Sequence, residues 1–357
     1  MFFKFEDAVA ANYQLTYDDV LLNQAPVSDI NSRYGANINP YHRNENGYYQ
    51  KPFDALPIVA SPMPSIASHA FMDAITDSTY KPFAIFADRF RPESELDEMY
   101  MRGCGISIGL DYPIDKLLHK VSEYEIAHVL VDIANGNLDS LYDYLIKLQD
   151  LRFDEGVFIW AGNVTNELAY SRIASLCDYI RVGIGGGSAC TTRINTGVGA
   201  GNVTTLARCS AERKRLLYTY PKDVAAPAYI VADGGIRNNG DVCKALASGA
   251  DLVMLGKMLA ATTESAATTV INAETGIAYK EYAGLASVSY NSKSSIEGQA
   301  GLIPMTESVV SLFKGIEGNL RSAMSYTNSH TLAEFQSSTK LICSPSITSE
   351  NNTSLVR

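Results

Sequence analysis

Residues 179–193 read YIRVGIGGGSACTTR, a short apolar run that passes directly into a loop of small residues. The run Tyr179–Val182 has the length and the apolar content of a buried strand. The glycines that follow let the backbone approach a ligand closely, and successive N–H groups in such a loop can bind an anion. The stretch therefore predicts a strand of a parallel sheet whose carboxyl end forms part of a site.

Seven further apolar runs of the same kind recur along the chain. They are Leu56–Ala60, Phe83–Phe86, Gly105–Ile108, Val129–Ile133, Val157–Ala161, Tyr229–Ala232 and Leu252–Leu255. Segments of helical periodicity lie between them, at Glu93–Met101, Leu138–Leu151, Asn166–Ser175 and Gly240–Ser248. Most runs are continuous rather than alternating, as in parallel strands that are buried on both faces. Eight such strands alternating with helices predict an α/β fold, a (β/α)₈ TIM barrel, with a doubly wound open sheet as the alternative.

Three segments fall outside the predicted barrel. Residues 1–55 are expected to wrap its exterior, and residues 257–305 to form a flap over the catalytic face, which lies at the carboxyl ends of the strands. Residues 343–357 are polar and are predicted to be a disordered tail. We therefore expect a single catalytic domain, residues 1–342, that includes the flap.

Charge and composition narrow the class of protein. The 357 residues carry a formal net charge of −10, which argues against binding to nucleic acids or anionic membranes. We find neither a secretory leader pattern nor an uninterrupted apolar stretch of about 18 residues, so we expect a cytoplasmic protein. The six cysteines include no CxxC pair and the five histidines no HxxxH pair, which makes a disulfide framework or a histidine metal site an improbable reading.

Cys190 is the candidate nucleophile. It follows the glycine-rich loop, whose N–H groups favour the thiolate, the form that attacks an electron-poor ring carbon. Thr191 or Thr192 is placed to relay a proton. Most free cysteines are instead small buried hydrophobic residues. We expect this purely structural role for Cys104, Cys177, Cys209 and Cys243.

Carboxylates end two other predicted strands. Asp233, followed by Gly234 and Gly235, can accept both hydroxyls of a ribose, although an acid in this position is also typical of a helix N-cap. Gly256 ends the eighth strand, and loops after the last two strands of such barrels often bind phosphate. Asp132 ends the fourth strand, where a second ribose, a nicotinamide amide or a simple turn all explain an acid.

Together these stretches resemble the IMP dehydrogenase/GMP reductase family over most of the chain. The motifs that carry the resemblance are LTYDDVLL (Leu15–Leu22), PIVASPM (Pro57–Met63), AGNV (Ala161–Val164), VGIGGGSACTTR (Val182–Arg193), VADGGIRNNGD (Val231–Asp241) and VMLG (Val253–Gly256). The resemblance implies a (β/α)₈ barrel, usually a homotetramer, that acts on a purine mononucleotide (GMP or IMP) with NADP or NAD. It also implies a covalent thioimidate between the cysteine and the purine ring.

The resemblance also implies roles for individual residues. Cys190 would be the nucleophile, with Thr192 as its partner and Glu297 as a candidate for the acid/base role. Implied nucleotide contacts are Ser61, Met63, Ser188, Asp233, Gly234, Gly235, Gly256, Tyr282, Gly284 and Leu285. Asp132, Ala134 and Asn135 would contact the cofactor. Carbonyls of Gly185, Gly187 and Cys190 match the loop that binds a monovalent cation, potassium, in the family.

Two features bear on the direction of the reaction. The tandem regulatory insertion of IMP dehydrogenases is missing, and the flap lacks their Arg-Tyr pair, so the chain looks more like a GMP reductase of the short form. GMP reductases, however, place a Glu where this chain has Val288, and an apolar side chain cannot transfer protons. We therefore expect NADPH-dependent reductive deamination of GMP or a similar nucleotide. An IMP dehydrogenase without a regulatory domain and a nucleotide-binding pseudoenzyme are the alternatives.

Overall fold

The computed structural model describes residues 4–43, 49–52, 54–187, 190–220, 226–283 and 300–344. Its strands are β1 Val20–Leu22, β2 Tyr41–Arg43, β3 Tyr49–Pro52, β4 Leu56–Ala60, β5 Pro82–Ile85, β6 Ile106–Ile108, β7 His128–Asp132, β8 Phe158–Val164, β9 Tyr179–Val182, β10 Tyr229–Asp233, β11 Leu252–Leu255, β12 Thr269–Ile271, β13 Ala278–Ala283, β14 Ala300–Pro304 and β15 Leu341–Cys343. Its α-helices are α1 Phe5–Ala10, α2 His69–Thr76, α3 Glu93–Met101, α4 Ile114–Tyr124, α5 Asp139–Lys147, α6 Gln149–Phe153, α7 Glu167–Ile173, α8 Thr192–Thr196, α9 Asn202–Thr219, α10 Asn239–Ala247, α11 Lys257–Ala260, α12 Val309–Tyr326 and α13 Leu332–Ser338.

Strands β4 to β11 form one parallel sheet that closes into a barrel. Their order is β5-β4-β11-β10-β9-β8-β7-β6, so each strand except the first and last pairs with two neighbours. A parallel bridge between Phe86 and Gly105 joins the two ends of the sheet. The predicted (β/α)₈ barrel is confirmed. The open-sheet alternative is wrong, because the β5 and β6 ends meet.

The apolar runs locate the barrel strands to within three residues. Strands β4, β9 and β11 begin and end as predicted. Strand β8 continues to Val164, although Gly162 and Asn163 look like turn residues in the sequence. Pairing with β9 carries the strand through them, since Gly162 pairs with Arg181 and Val164 with Val182.

Large aromatic side chains fill the barrel beneath its carboxyl ends. Trp160 stacks on Tyr179 with ring centroids 4.0 Å apart, and Tyr179 stacks on Tyr229 at 5.6 Å. Side chains two residues apart on a strand point to the same face. Arg181 therefore lies above Tyr179, and Asp233 lies above Tyr229. The floor of the barrel mouth is thus a charged layer resting on an aromatic one.

The N-terminal segment packs on the barrel exterior, as expected. Strand β1 pairs antiparallel with β15, with Val20 opposite Cys343 and Leu22 opposite Leu341. Ordered pairing therefore reaches one residue into the segment predicted to be a tail, and residues 345–357 lie outside the described residues. None of the helices in the described ranges is long and apolar enough to cross a membrane.

The flap region is partly described. Strands β12, β13 and β14 form an antiparallel sheet after the eighth barrel strand. The flap prediction for 284–299, including Val288 and Glu297, lies outside the described residues. Lys280 anchors this sheet: it is 2% exposed, and its ammonium donates to the carbonyls of Thr263 and Ala267, both at 3.1 Å.

Buried thiols lead to a prediction about alkaline stability. Burial raises the pKa of Cys104 and of Cys243 from 9.0 to about 12, and it raises the pKa of Cys177 and Cys209 as well. Because the folded pKa exceeds the unfolded one, their stabilising contribution is complete below pH 9 and is lost as pH rises from 9 towards 12. Each thiol is expected to lower the free energy of unfolding by about 1.4 kcal/mol per pH unit in that window.

Denaturant unfolding at pH 8, 9 and 10 measures this loss. The variant Cys243→Ala is the control, because it removes one titrating thiol and should show a shallower decline. A free energy of unfolding that stays constant from pH 8 to 10 would contradict the prediction.

Candidate active site

Arg181 bridges two carboxylates at the carboxyl ends of the barrel strands. Its Nη1 donates to Oδ1 of Asp132, while Nε and Nη2 donate to Oδ2 of Asp233 at 3.0 and 2.8 Å. Burial alone lowers the pKa of Arg181, but the adjacent Asp233 and Asp132 carboxylates raise it above its usual value. The guanidinium is therefore a fixed cation that holds both carboxylates in place.

Asn163 completes the hydrogen bonding around Asp233. Its Nδ2 donates to Oδ2 of Asp233 and to the carbonyl of Gly183, both at 2.7 Å. Every hydrogen bond that the described residues donate to the Asp233 carboxylate goes to Oδ2. Its other oxygen, Oδ1, is thus available to a ligand.

Gly183 allows the ends of β9 and β10 to meet. It has a φ of +134°, and a Cβ atom there would lie 2.1 Å from the carbonyl oxygen of Asp233. No side chain larger than hydrogen fits at that distance. The glycine that opens the loop therefore sets the distance between the Cys190 loop and Asp233.

Cys190 lies beside Thr192 at the start of α8. The thiol and the Thr192 hydroxyl are 3.2 Å apart, within hydrogen-bond distance for sulfur. Cys190 is partly exposed, whereas Cys104, Cys177 and Cys209 are buried, as expected from the sequence. Cys190 is thus the cysteine that combines solvent access with a neighbouring hydroxyl in the barrel mouth.

These groups share one cavity of about 480 Å³, a size typical of small-molecule sites. Its lining comprises Ser61, Met63, Arg89, Phe90, Asp132, Ile133, Ala134, Asn163, Arg181, Gly183, Ile184, Gly185, Gly186, Gly187, Cys190, Thr192, Asp233, Gly234 and Tyr282. A nucleophile, an arginine-bridged pair of carboxylates and a run of glycines therefore face the same space.

Comparison with known proteins identifies the family. Residues 24–353 match the model of the IMP dehydrogenase/GMP reductase domain. The chain belongs to the IMP dehydrogenase/GMP reductase family. It is 30% identical over 307 residues to a GMP reductase of Vibrio cholerae, covering 81% of this chain and 84% of that protein.

Other members of the family are about equally similar. A GMP reductase of Aliivibrio fischeri is 30% identical over 303 residues, which cover 80% of this chain and 83% of the relative. An IMP dehydrogenase of Borreliella burgdorferi is 31% identical over 267 residues, which cover 70% of this chain and 62% of the relative. The family is therefore one of oxidoreductases, and this chain spans more of the relatives named GMP reductase.

Most of the described residues that the family motifs single out lie in or beside the cavity. Tyr282 and Met63 line it, and a Cβ atom on Gly256 would be 3.2 Å from both the Met63 sulfur and the Tyr282 hydroxyl. A Cβ atom on Gly235, which has a φ of +80°, would be 2.5 Å from Nδ2 of the Asn202 side chain, so a larger residue there is strained. These close approaches favour glycine at both positions.

Five residues of the prediction are placed differently or not described. Asn135 does not line the cavity, because its Oδ1 accepts the N–H of Asn137 at 3.1 Å and closes its own turn. Ser188, Gly284, Leu285 and Glu297 lie outside the described residues, and their site roles stay predictions.

Sequence reasoning missed four polar or aromatic residues of the cavity. Arg181 sits inside an apolar strand and Asn163 inside the AGNV motif, and neither entered the list of candidates. A strand's period of two was the available signal for Arg181, since it shares a face with Tyr179. Arg89 and Phe90 follow β5. Active-site residues of such barrels lie at the carboxyl ends of the strands, and this was the available signal for both residues.

Within the described ranges, His, Cys, Asp and Glu side chains form no group of three or more that could hold a metal ion. The carbonyl of Gly187, one of the predicted potassium ligands, accepts the N–H of Cys190 at 3.0 Å. Potassium at Gly185, Gly187 and Cys190 stays a prediction, because Ser188, in the same loop, lies outside the described residues.

Exposure of the cysteines predicts the outcome of thiol titration. Only Cys190 and Cys343 among the six cysteines are partly exposed. A thiol reagent should therefore modify two thiols in the native protein and six in denaturant, since reaction requires access to the thiolate. The variant Cys343→Ala should leave one reactive thiol. Modification of three or more native thiols would contradict the burial described here.

Proposed function

We propose that this chain is a GMP reductase-type enzyme, which converts GMP or a similar nucleotide to IMP with NADPH. The observation that carries the proposal is the shared cavity: Cys190, paired with Thr192, faces the same space as the Arg181-bridged carboxylates. Coverage of 84% of a GMP reductase, against 62% of an IMP dehydrogenase, supports the reductase direction. We further propose one catalytic domain over residues 1–342.

The geometry supports a specific pose for the nucleotide. Asp233 offers Oδ1 to the ribose hydroxyls while Arg181 and Asn163 hold its other oxygen. Gly235 and Gly256, whose backbone is free of side chains, offer N–H groups to the phosphate. Tyr282 and Met63 close that end of the cavity. The purine ring then lies between the Asp233 side of the mouth and Cys190.

The chain's own residues then carry out the exchange at C2. The Cys190 sulfur bonds to C2 of the purine, and the bond from C2 to the exocyclic amine breaks, which releases ammonia. Thr192, 3.2 Å from the sulfur, passes a proton towards the departing amine. Bound NADPH supplies a hydride to C2. The C2–S bond then breaks, the electron pair returns to sulfur, and IMP leaves.

The cofactor fits the other side of the same cavity. Asp132 and Ala134 line it, and Arg181 orients the Asp132 carboxylate, which is an acceptor for the amide of a nicotinamide. Asp132 ends β7 and Ala134 follows it, two strands from the β9 end that leads into the Cys190 loop, so a ring held there would lie beside the purine in the same mouth. NADP and NAD are both compatible with this site.

One specific observation favours a second candidate, an IMP dehydrogenase without its regulatory domain. The Borreliella burgdorferi relative matches 70% of this chain at 31% identity. In that reaction the Cys190 sulfur would add to C2 of IMP and the C2 hydrogen would leave as a hydride, for which bound NAD would be the acceptor. Water would then add at C2, the C2–S bond would break with its electron pair returning to sulfur, and XMP would leave.

A nicotinamide assay separates these readings. Purified protein is mixed with GMP and NADPH, and in parallel with IMP and NAD, while the absorbance of reduced nicotinamide is followed. Loss of absorbance only in the first mixture supports the proposal, and a gain only in the second overturns it in favour of the dehydrogenase. An absorbance that changes in neither mixture, together with nucleotide binding by calorimetry, identifies a nucleotide-binding pseudoenzyme.

A further inference from the structure

Arg89 brings a second guanidinium to the carboxylate on the cofactor side of the mouth. It follows β5, while Asp132 ends β7, and both line the cavity. Nη1 of Arg89 donates to the main-chain carbonyl of Asp132 at 2.7 Å. The same nitrogen lies 3.8 Å from Oδ2 of Asp132. The Arg89 side chain is 29% exposed, against 10% for Arg181, so it is the more accessible of the two.

The two arginines differ in the hydrogen bonds that their guanidinium groups donate. Nη1 of Arg181 donates to Asp132, and its Nε and Nη2 donate to Asp233. The described residues give the Arg89 guanidinium one hydrogen bond, to the Asp132 carbonyl. The 3.8 Å separation from Oδ2 is too long for a hydrogen bond. Further N–H donors of Arg89 and the Oδ2 acceptor of Asp132 therefore stand side by side at the cavity.

Phe90 restrains this arginine. Its ring centroid lies 5.1 Å from the guanidinium carbon of Arg89, within the range of a cation–π contact. With the backbone bond to Asp132, this contact fixes the guanidinium at two points. Arg89 is thus held in place before a ligand arrives, which reduces the entropy lost on binding.

A donor and an acceptor in this arrangement match a primary carboxamide. Such a group presents an NH₂ donor and a carbonyl acceptor in one plane, whereas an ionised carboxylate has acceptors only. We infer that Arg89 is a specificity-determining residue that donates to the carbonyl of the nicotinamide carboxamide, while Oδ2 of Asp132 accepts from its NH₂. This inference rests on the proposed function.

The test combines a variant with a ligand that lacks the contacted group. Binding of NADP in its oxidised form, the cofactor of the proposed reaction, is compared by calorimetry with binding of the analogue in which pyridine, without the carboxamide, replaces nicotinamide. Arg89→Met is expected to weaken binding of the intact dinucleotide about 10–100-fold, the range for a hydrogen bond to a charged group. Binding of the analogue should change less than twofold. Arg89→Lys should recover part of the loss.

Controls separate a contact from a structural effect. GMP affinity should stay within twofold of wild type in Arg89→Met, and Arg102→Met, an exposed arginine paired with Asp73, should leave both dinucleotides unaffected. If Arg89→Met weakens binding of both dinucleotides equally, or of neither, the inference is overturned. The proposed function still stands in that case if the wild type turns over GMP. A wild-type protein that binds no nicotinamide dinucleotide overturns both.

Discussion

Replacing Cys190 with alanine is expected to abolish turnover while leaving nucleotide affinity near the wild-type value. The thiol is the proposed nucleophile, and Thr192 beside it has no nucleophilic role of its own in the exchange at C2. Loss of an enzyme nucleophile costs about 10⁴-fold or more in kcat. Binding should persist, because Asp233 and the backbone of Gly235 and Gly256 hold the ribose and phosphate.

Steady-state kinetics and calorimetry with GMP measure the two quantities separately. Cys343→Ala is the matched control, since Cys343 is the other partly exposed cysteine and lies on β15, away from the cavity. It should retain wild-type kcat. A Cys190→Ala variant that keeps even a tenth of the activity would show that the thiol is merely structural.

The second large effect is expected from Arg181→Met, on both stability and nucleotide binding. The substitution leaves Asp132 and Asp233 side by side and partly buried without their shared cation. Removing one member of a buried ion pair typically lowers the free energy of unfolding by about 3–5 kcal/mol. The KM for nucleotide should rise as well, because Asp233 is no longer held to receive the ribose.

Arg152→Met is the matched control, because the pair of Arg152 and Asp178 lies at the amino-terminal end of β9, whereas Arg181 lies near its carboxyl end. Arg152 pairs with Asp178, which directly precedes β9, and both side chains are almost fully buried. Its loss should lower the free energy of unfolding by a similar amount without changing the KM of the remaining folded enzyme. Denaturant unfolding and kinetics distinguish the two variants. An equal KM change in both would mean that Arg181 acts only through stability.

Most of the fold could be predicted because the barrel strands are short, continuous and buried. Their apolar runs show in the sequence without knowledge of the tertiary contacts, as for Tyr179–Val182 and Leu252–Leu255. The boundary of β8 could not be predicted, because Gly162 and Asn163 carry the local signal of a turn while pairing with β9 extends the strand. The pairing of β1 with β15 was equally hidden, since it joins the two ends of the chain.

The site was predictable where a single strand end decides the contact. Cys190, Asp132 and Asp233 each end a strand or its loop, and all three line the cavity. The role of Arg181 depends on two carboxylates brought together from strands far apart in sequence, which no local pattern encodes. Asn135 illustrates the reverse: it is close in sequence to Asp132, yet its side chain closes a turn.

The central claim is that hydride reaches C2 of a purine nucleotide as its amine leaves. Its most direct test uses GMP with NADPH that carries deuterium at the transferred position, followed by mass spectrometry of the product and an ammonia assay. The account predicts IMP with one deuterium at C2 and one ammonia for each NADPH oxidised. Unlabelled product, or a reaction that consumes IMP and reduces NAD without releasing ammonia, would contradict it.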